Sequence, residues 1–460
     1  MRRLLPAALT ALLLGAVTAP ASAEPAPTPG DPAYTQRDLQ NIADAYGRID
    51  GEGGQLQNPA YLPALVAASN QTAVDQLLTQ VASPTHPALT AGAVVPGWNV
   101  GNPLRAGWNG TRGVSRKVSF TNRYGALLRG TVYRPKPGAV DPYTGRELRG
   151  PFPGVVITEG SVQGSEGMYA WLAQDLAERG YVVLTYDVQG QGTSETLPHG
   201  ACCPGVPSQQ LANFVVGTED ALDFFTSPQN PFRRSFDSSP DPHPATPGRT
   251  TRIAIIGHSM GAAAVSKVQG TDKRVAAVVA LDKLTGPSSD GPLDGSGNVP
   301  VVPALAVQSE YGFTVSPWLL SGGSSLNPEP SPDGPDPRRE RATGYDAWRA
   351  AGVDSMLVVP RASTHLEYTD IPLVLPASRY GQDLTSVYVQ RWLDRYLKHR
   401  DNTSSLLGSS FRYLEPTGEG RWSPVRLHRD DLLSFYYCSA YAIHTPGGPA
   451  SDGDVADVGC

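Results

Sequence analysis

Cysteine is scarce in this chain: four in 460 residues, namely Cys202, Cys203, Cys438 and Cys460. None forms a C-x-x-C pair and none belongs to a His/Cys cluster with zinc spacing, so no metal site is expected. Charge is also sparse, at 17% of residues with a net charge of −6. There is no basic stripe of the kind that neutralises phosphates, which argues against nucleic acid as a partner. Nor is there a polybasic cluster suited to an anionic membrane. Beyond the first segment no stretch reaches ~18 uninterrupted apolar residues, so no integral membrane segment is expected in the mature chain. No internal repeat is visible.

What is present begins with a leader. Arg2 and Arg3 precede an apolar run from Leu4 to Val17, and Ala21-Ser22-Ala23 gives an A-x-A cleavage site before Glu24. Residues 1–23 are therefore expected to be a signal peptide, and the protein to be secreted. Export permits disulfides. Cys438–Cys460 is the favoured pair, stapling a Gly-rich tail, with Cys202 and Cys203 left as a vicinal bridge or free thiols.

Residues 24–113 read as an N-terminal extension with helical stretches that packs on the core, and 401–460 as a C-terminal extension. Between them, residues 114–400 alternate strands and helices. "VSRKVSF" and "LLRGTVYRP" read as short strands. "PGVVITEG", "YVVLTYD", "RIAIIG", "VAAVVALD", "VVPALAVQ" and "SMLVVP" are near-continuous apolar runs. "SEGMYAWLAQDLAERG", with Ser165 as its N-cap, "SQQLANFVVGTEDALDFFTS" and "DLTSVYVQRWLDRYLKH" carry helical spacing. Continuous apolar strands separated by helices predict an α/β fold with a mostly parallel sheet covered on both faces. Ligands in such sheets bind at the carboxyl ends of the strands.

Ser259 stands at one of those ends, in "GHSMG". A G-x-S-x-G pattern alone is weak evidence in a chain with 49 glycines. Between a strand and a helix it describes a tight turn that lifts a serine hydroxyl above the sheet and aims the first helical amides at it. A serine needs a base, and His365, in the loop after "SMLVVP", is placed to supply it. His258, inside the turn, is expected to point elsewhere and pack. Two carboxylates compete to orient the base, each just after a strand: Glu310 is favoured and Asp282 is the alternative. The oxyanion donors are expected to be the amides of Met260 and Ser161, with Gly160 allowing close approach. "DVQGQGTSE" reads as a turn shaping the pocket floor. Tyr311 and Trp318 are candidates for substrate contact. "DGPLDGSGN" has the look of a calcium loop, but Pro292 and Val301 replace needed oxygen ligands, so a plain turn is expected.

The elbow "GHSMG", the "ITEG" strand end, "DVQGQGTSE" and the late "STH" together resemble the α/β-hydrolase superfamily, over roughly Val114 to Lys398. Within it, "PGVVITEGSVQGSEGMYAWLAQDLAERGYVV" is similar to secreted bacterial dienelactone-hydrolase-like esterases and, more distantly, cutinase-type polyesterases. The resemblance implies a serine esterase with Ser259 as nucleophile and His365 as base, acting on a small-molecule or lipid-like ester without a cofactor. The chain departs from the pattern at "QSEYG", where Gly312 stands in a place often held by Asp. It also lacks the aromatic residues of a polyester-clamping surface, and no cysteine replaces the serine. Two other readings stand beside the esterase: a serine peptidase similar to the Xaa-Pro dipeptidyl peptidases, and a non-catalytic binding module on the same fold.

Overall fold

The structure, a computed structural model, describes residues 32–45, 58–82, 100–161, 164–196, 209–289, 294–313, 320–324, 327–331, 333–370, 381–418 and 420–460. Two helices come first, α1 (Pro32–Ala45) and α2 (Tyr61–Ala82). The alternating core follows: β1 (Gly113–Thr121), β2 (Leu127–Pro135), β3 (Gly154–Thr158), α3 (Ala170–Glu178), β4 (Val182–Tyr186), α4 (Leu211–Thr226), β5 (Ile253–His258), α5 (Met260–Thr271), β6 (Ala277–Leu281), β7 (Ala304–Val307), β8 (Ser355–Val358) and α6 (Gly381–Lys398). A hairpin, β9 (Ser410–Gly418) with β10 (Arg421–His428), precedes β11 (Ala440–Thr445) and β12 (Gly448–Asp452).

Ten strands form one sheet in the order β1-β2-β4-β3-β5-β6-β7-β8-β11-β12. From β4 to β8 every neighbouring pair is parallel, while β1, β2, β11 and β12 join antiparallel. The period-2 alternation of a strand sends its apolar residues to both faces, and each face has its own core. On one side Val156, Ile255, Val278 and Leu357 pack with Phe214 and Phe225 of α4 and Val265 and Val268 of α5. On the other, Ile157, Ile256, Leu281 and Val307 pack with Trp171 of α3 and Trp392 of α6. Each such side chain contributes about 1.5–3 kcal/mol on leaving water.

The sequence placed the start of a helix at Ser165. The α-helix instead begins at Ala170, after a 3-10 turn (Glu166–Tyr169), and the Ser165 hydroxyl makes no cap bond. The C-terminal extension is more than a tail, since β11 pairs with β8 and widens the main sheet. Cys438 and Cys460 are joined as a disulfide that ties the chain end to this added edge. Cys202 and Cys203 lie outside the described residues, as does residues 290–293 of the loop likened to a calcium site. In the described part of that loop, Asp294 turns on itself by accepting the Ser296 amide (2.8 Å).

Candidate active site

The turn between β5 and α5 follows from its small residues. A Cβ on Gly257 would lie 2.1 Å from the Gly261 carbonyl oxygen, and one on Gly261 would lie 2.3 Å from that of Glu159. Strand and helix thus approach within a distance that only glycine permits. The cost falls on Ser259, held at φ 55°, ψ −120°, a region sparsely used by residues with side chains. Its amide donates to the Leu281 carbonyl (3.0 Å), which fastens the turn to the end of β6. Met260 is the first residue of α5. Its amide has no acceptor within the helix and adds to the positive helix end beside the serine.

The other groups come from neighbouring strand ends. His365 is buried, at 2% exposure, and its Nδ1 lies 2.7 Å from Oδ2 of Asp282, just after β6. A carboxylate can only accept, so Nδ1 carries a hydrogen, and Nε2 is the nitrogen that holds the lone pair whenever the ring is neutral. That Nε2 is buried and makes no hydrogen bond with any described residue, Ser259 included. Asp282 is fixed in turn by the Ser309 hydroxyl and by the Ser309 amide (3.3 Å). Burial alone would push its carboxyl up. The hydrogen bond and charge of His365, the charge of Lys283 and the Ser309 hydroxyl outweigh this and hold it well below the usual carboxylate range.

Glu310, the acid favoured from sequence, does not reach His365. Its Oε1 accepts the Ser434 hydroxyl (2.6 Å) and the Phe435 amide (3.2 Å). Its Oε2 accepts the Ala362 amide (2.6 Å) and the Asn41 side chain of α1 (3.1 Å). It is a buried staple joining α1, the loop before His365 and the C-terminal segment. The correction has a local cause: Asp282 sits at φ 36°, a turn that carries its carboxylate to the imidazole, while four donors hold Glu310 elsewhere.

Burial raises the Glu310 pKa from its ordinary 4.5 to about 7, against the hydrogen bonds and the charge of Arg361. The native state thus keeps a proton that the unfolded chain has already lost between these values. This contribution is full below the unfolded value and disappears as pH rises through the folded one, by ~3 kcal/mol. Chemical denaturation from about pH 5 to 8 should show a fall of that order, and a flatter profile in Glu310→Gln. Equal slopes would remove Glu310 as the source.

The turn after β3, where the sequence predicts an oxyanion donor, lies against the serine turn: a Cβ on Gly160 would sit 2.9 Å from the Ser259 Cβ. Gly160 donates its amide to the Tyr169 hydroxyl (2.9 Å), so that donor is already used, and Ser161 is half-buried next along the turn. Gln191 clamps the turn, donating to the Gly160 carbonyl (2.9 Å) and accepting the Gly164 amide (3.2 Å). "DVQGQGTSE" therefore does more than shape a pocket floor. Glu159, just before the turn, accepts from Val188 and Gln191 (2.8 Å each). Burial and the neighbouring Asp187 charge push its carboxyl well above the usual range. Tyr311 is buried in the core at 1% exposure. Trp318 lies outside the described residues. Sequence reasoning passed over Phe313, 49% exposed with its ring centroid 4.4 Å from that of His365. The His365 amide donates to the Gly312 carbonyl (2.7 Å) and holds that ring in place.

The model of the alpha/beta hydrolase family matches residues 160–419. An uncharacterized protein of Pseudomonas aeruginosa is 33% identical over 144 residues, 30% of this chain and 36% of that protein. A thiohydrolase of Arthrinium phaeospermum is 28% identical over 169 residues, 37% of this chain and 43% of its own. The chain thus matches less than half the length of either curated relative. Among solved structures, a ferulic acid esterase from Streptomyces cinnamoneus is similar at a TM-score of 0.41 and 20% identity, over 62% of this chain and 89% of that one. The family match spans more than half of the sequence and contains Ser259, Asp282 and His365, and on that ground the chain belongs to the alpha/beta hydrolase family.

Proposed function

We propose that this protein is an exported serine hydrolase that cleaves carboxylic esters through an acyl-enzyme. The observation carrying the reading is the buried His365–Asp282 pair, whose second imidazole nitrogen has no partner among the described residues, together with a serine on a strained strand-to-helix turn at the end of the neighbouring strand. In the reaction, Nε2 of His365 takes the proton of Ser259 as its oxygen attacks the ester carbonyl. Asp282 stabilises the imidazolium that forms. The amides of Met260 and Ser161 receive the developing oxyanion. His365 then returns the proton to the departing alcohol, and water repeats the sequence on the acyl-enzyme. The Cys438–Cys460 disulfide supports export, and no helix among the described residues is long and apolar enough to cross a membrane.

The test is hydrolysis of p-nitrophenyl esters of increasing acyl length, with a thioester and a p-nitroanilide of the same acid as controls. Ester turnover with little anilide turnover is expected. Anilide turnover in the absence of ester turnover would move the protein to the peptidase reading. A folded protein that turns over none of these substrates would move it to the binding-module reading.

Because His365 protonates the leaving alcohol, the substituent on that alcohol lies beside the exposed ring of Phe313. Phe313→Ala is expected to lower kcat/KM for a benzyl ester relative to the methyl ester of the same acid by about 2–10-fold, the value of one aromatic contact. An unchanged ratio would place the alcohol elsewhere.

A further inference from the structure

His258 and Tyr169 have no part in the chemistry above, yet both are buried beside it, at 3% and 1% exposure. His258 does not merely pack, as its sequence position suggested. Its Nε2 lies 2.9 Å from the backbone carbonyl oxygen of His365, and its Nδ1 lies 2.7 Å from the Tyr169 hydroxyl. That hydroxyl also receives the Gly160 amide at 2.9 Å.

The proton directions in this run are forced. A carbonyl only accepts, so Nε2 of His258 carries a hydrogen and donates it. Burial, reinforced by the neighbouring His365, pulls the His258 pKa down to about 3, so the ring is neutral and Nδ1 is an acceptor. The Tyr169 hydroxyl must then donate to Nδ1, and its oxygen accepts from Gly160. One end of the run is the turn that supplies an oxyanion donor, and the other is the backbone of the base. No other arrangement of hydrogens satisfies all four groups, and leaving any of them unpaired in this buried place costs about 1–3 kcal/mol.

We infer that Tyr169 and His258 are positioning residues: one hydrogen-bonded chain of a single polarity, Gly160 to Tyr169 to His258 to His365, sets the oxyanion turn and the base at a fixed separation. The inference rests on the serine-hydrolase reading and adds to it. The oxyanion turn and the base must act on the same tetrahedral carbon. The chain gives them a direct link that is independent of Asp282, which holds the imidazole ring from its other side of the chemistry.

The experiment compares Tyr169→Phe, His258→Gln and His258→Leu by steady-state kinetics on one p-nitrophenyl ester, with a melting curve for each. Tyr169→Phe keeps the ring and removes the link. It should lower kcat by about 10–100-fold and leave KM within about twofold, as expected for a small misplacement of reacting groups. Glutamine can donate to the His365 carbonyl and accept from Tyr169, so His258→Gln should stay within about tenfold of wild type while His258→Leu falls at least as far as Tyr169→Phe. Equal losses in His258→Gln and His258→Leu, or a Tyr169→Phe variant with wild-type kcat, would overturn the inference. Should a variant not fold, the wild-type protein still decides. Nitrogen-15 spectra of labelled histidine should show His258 neutral, protonated on Nε2, and unchanged from about pH 5 to 8. A ring protonated on Nδ1, or one that titrates in that range, contradicts the chain. Ser259→Ala keeps the two readings apart. Lost activity there with full activity in Tyr169→Phe sinks the positioning role alone, and retained activity in Ser259→Ala sinks the serine reading itself.

Discussion

Asp282→Ala is expected to lower kcat about 10⁴-fold with little change in KM, whereas Glu310→Ala keeps kcat within about tenfold of wild type. The contrast follows from what each carboxylate touches. Asp282 is the only described acid on Nδ1 of His365, at 2.7 Å. Without it nothing keeps the hydrogen on Nδ1 or balances the imidazolium, so the loss appears in the chemical step. Glu310 holds Ser434, Phe435, Ala362 and Asn41 together. Its removal leaves buried donors unpaired at about 1–3 kcal/mol each, so the loss appears in the melting temperature. Kinetics and melting curves on the two variants give four numbers. The reverse ranking in kcat would return the catalytic role to Glu310.

Ser259→Ala is expected to lower kcat by about 10⁶-fold and to abolish any acyl-enzyme burst. The turn itself should survive, because the strain at φ 55° is borne by the backbone and alanine keeps the same Cβ. A normal melting curve together with absent turnover is therefore the expected pair. Activity within about tenfold of wild type would mean that another nucleophile does the work.

Much of the fold was legible because apolar runs such as Gly154–Thr158 and Val182–Tyr186 are buried on both faces and so need no polar alternation. The turn around Ser259 was legible because close backbone approach demands glycine on both sides. The choice of acid was not. Asp282 and Glu310 both follow strands, and those strands are neighbours in the sheet. What separates them is one positive φ and a hydrogen bond to Ser434, 124 residues away in sequence. No local pattern encodes such a contact. The same holds for His258, whose partners Tyr169 and His365 lie 89 and 107 residues away. Strands β11 and β12 were missed for a different reason. They form an edge of the sheet, and β12 carries mostly exposed or half-exposed residues, so neither shows the apolar run that announces a central strand.

A fluorophosphonate probe followed by peptide mapping tests the central claim most directly. Its phosphorus requires an activated nucleophile, a working base and an oxyanion site at once. The account predicts a single adduct on the peptide containing Ser259, formed quickly in the wild-type protein, and markedly slower in Asp282→Ala. An adduct on a different residue, or an active protein that takes up no label, would contradict it.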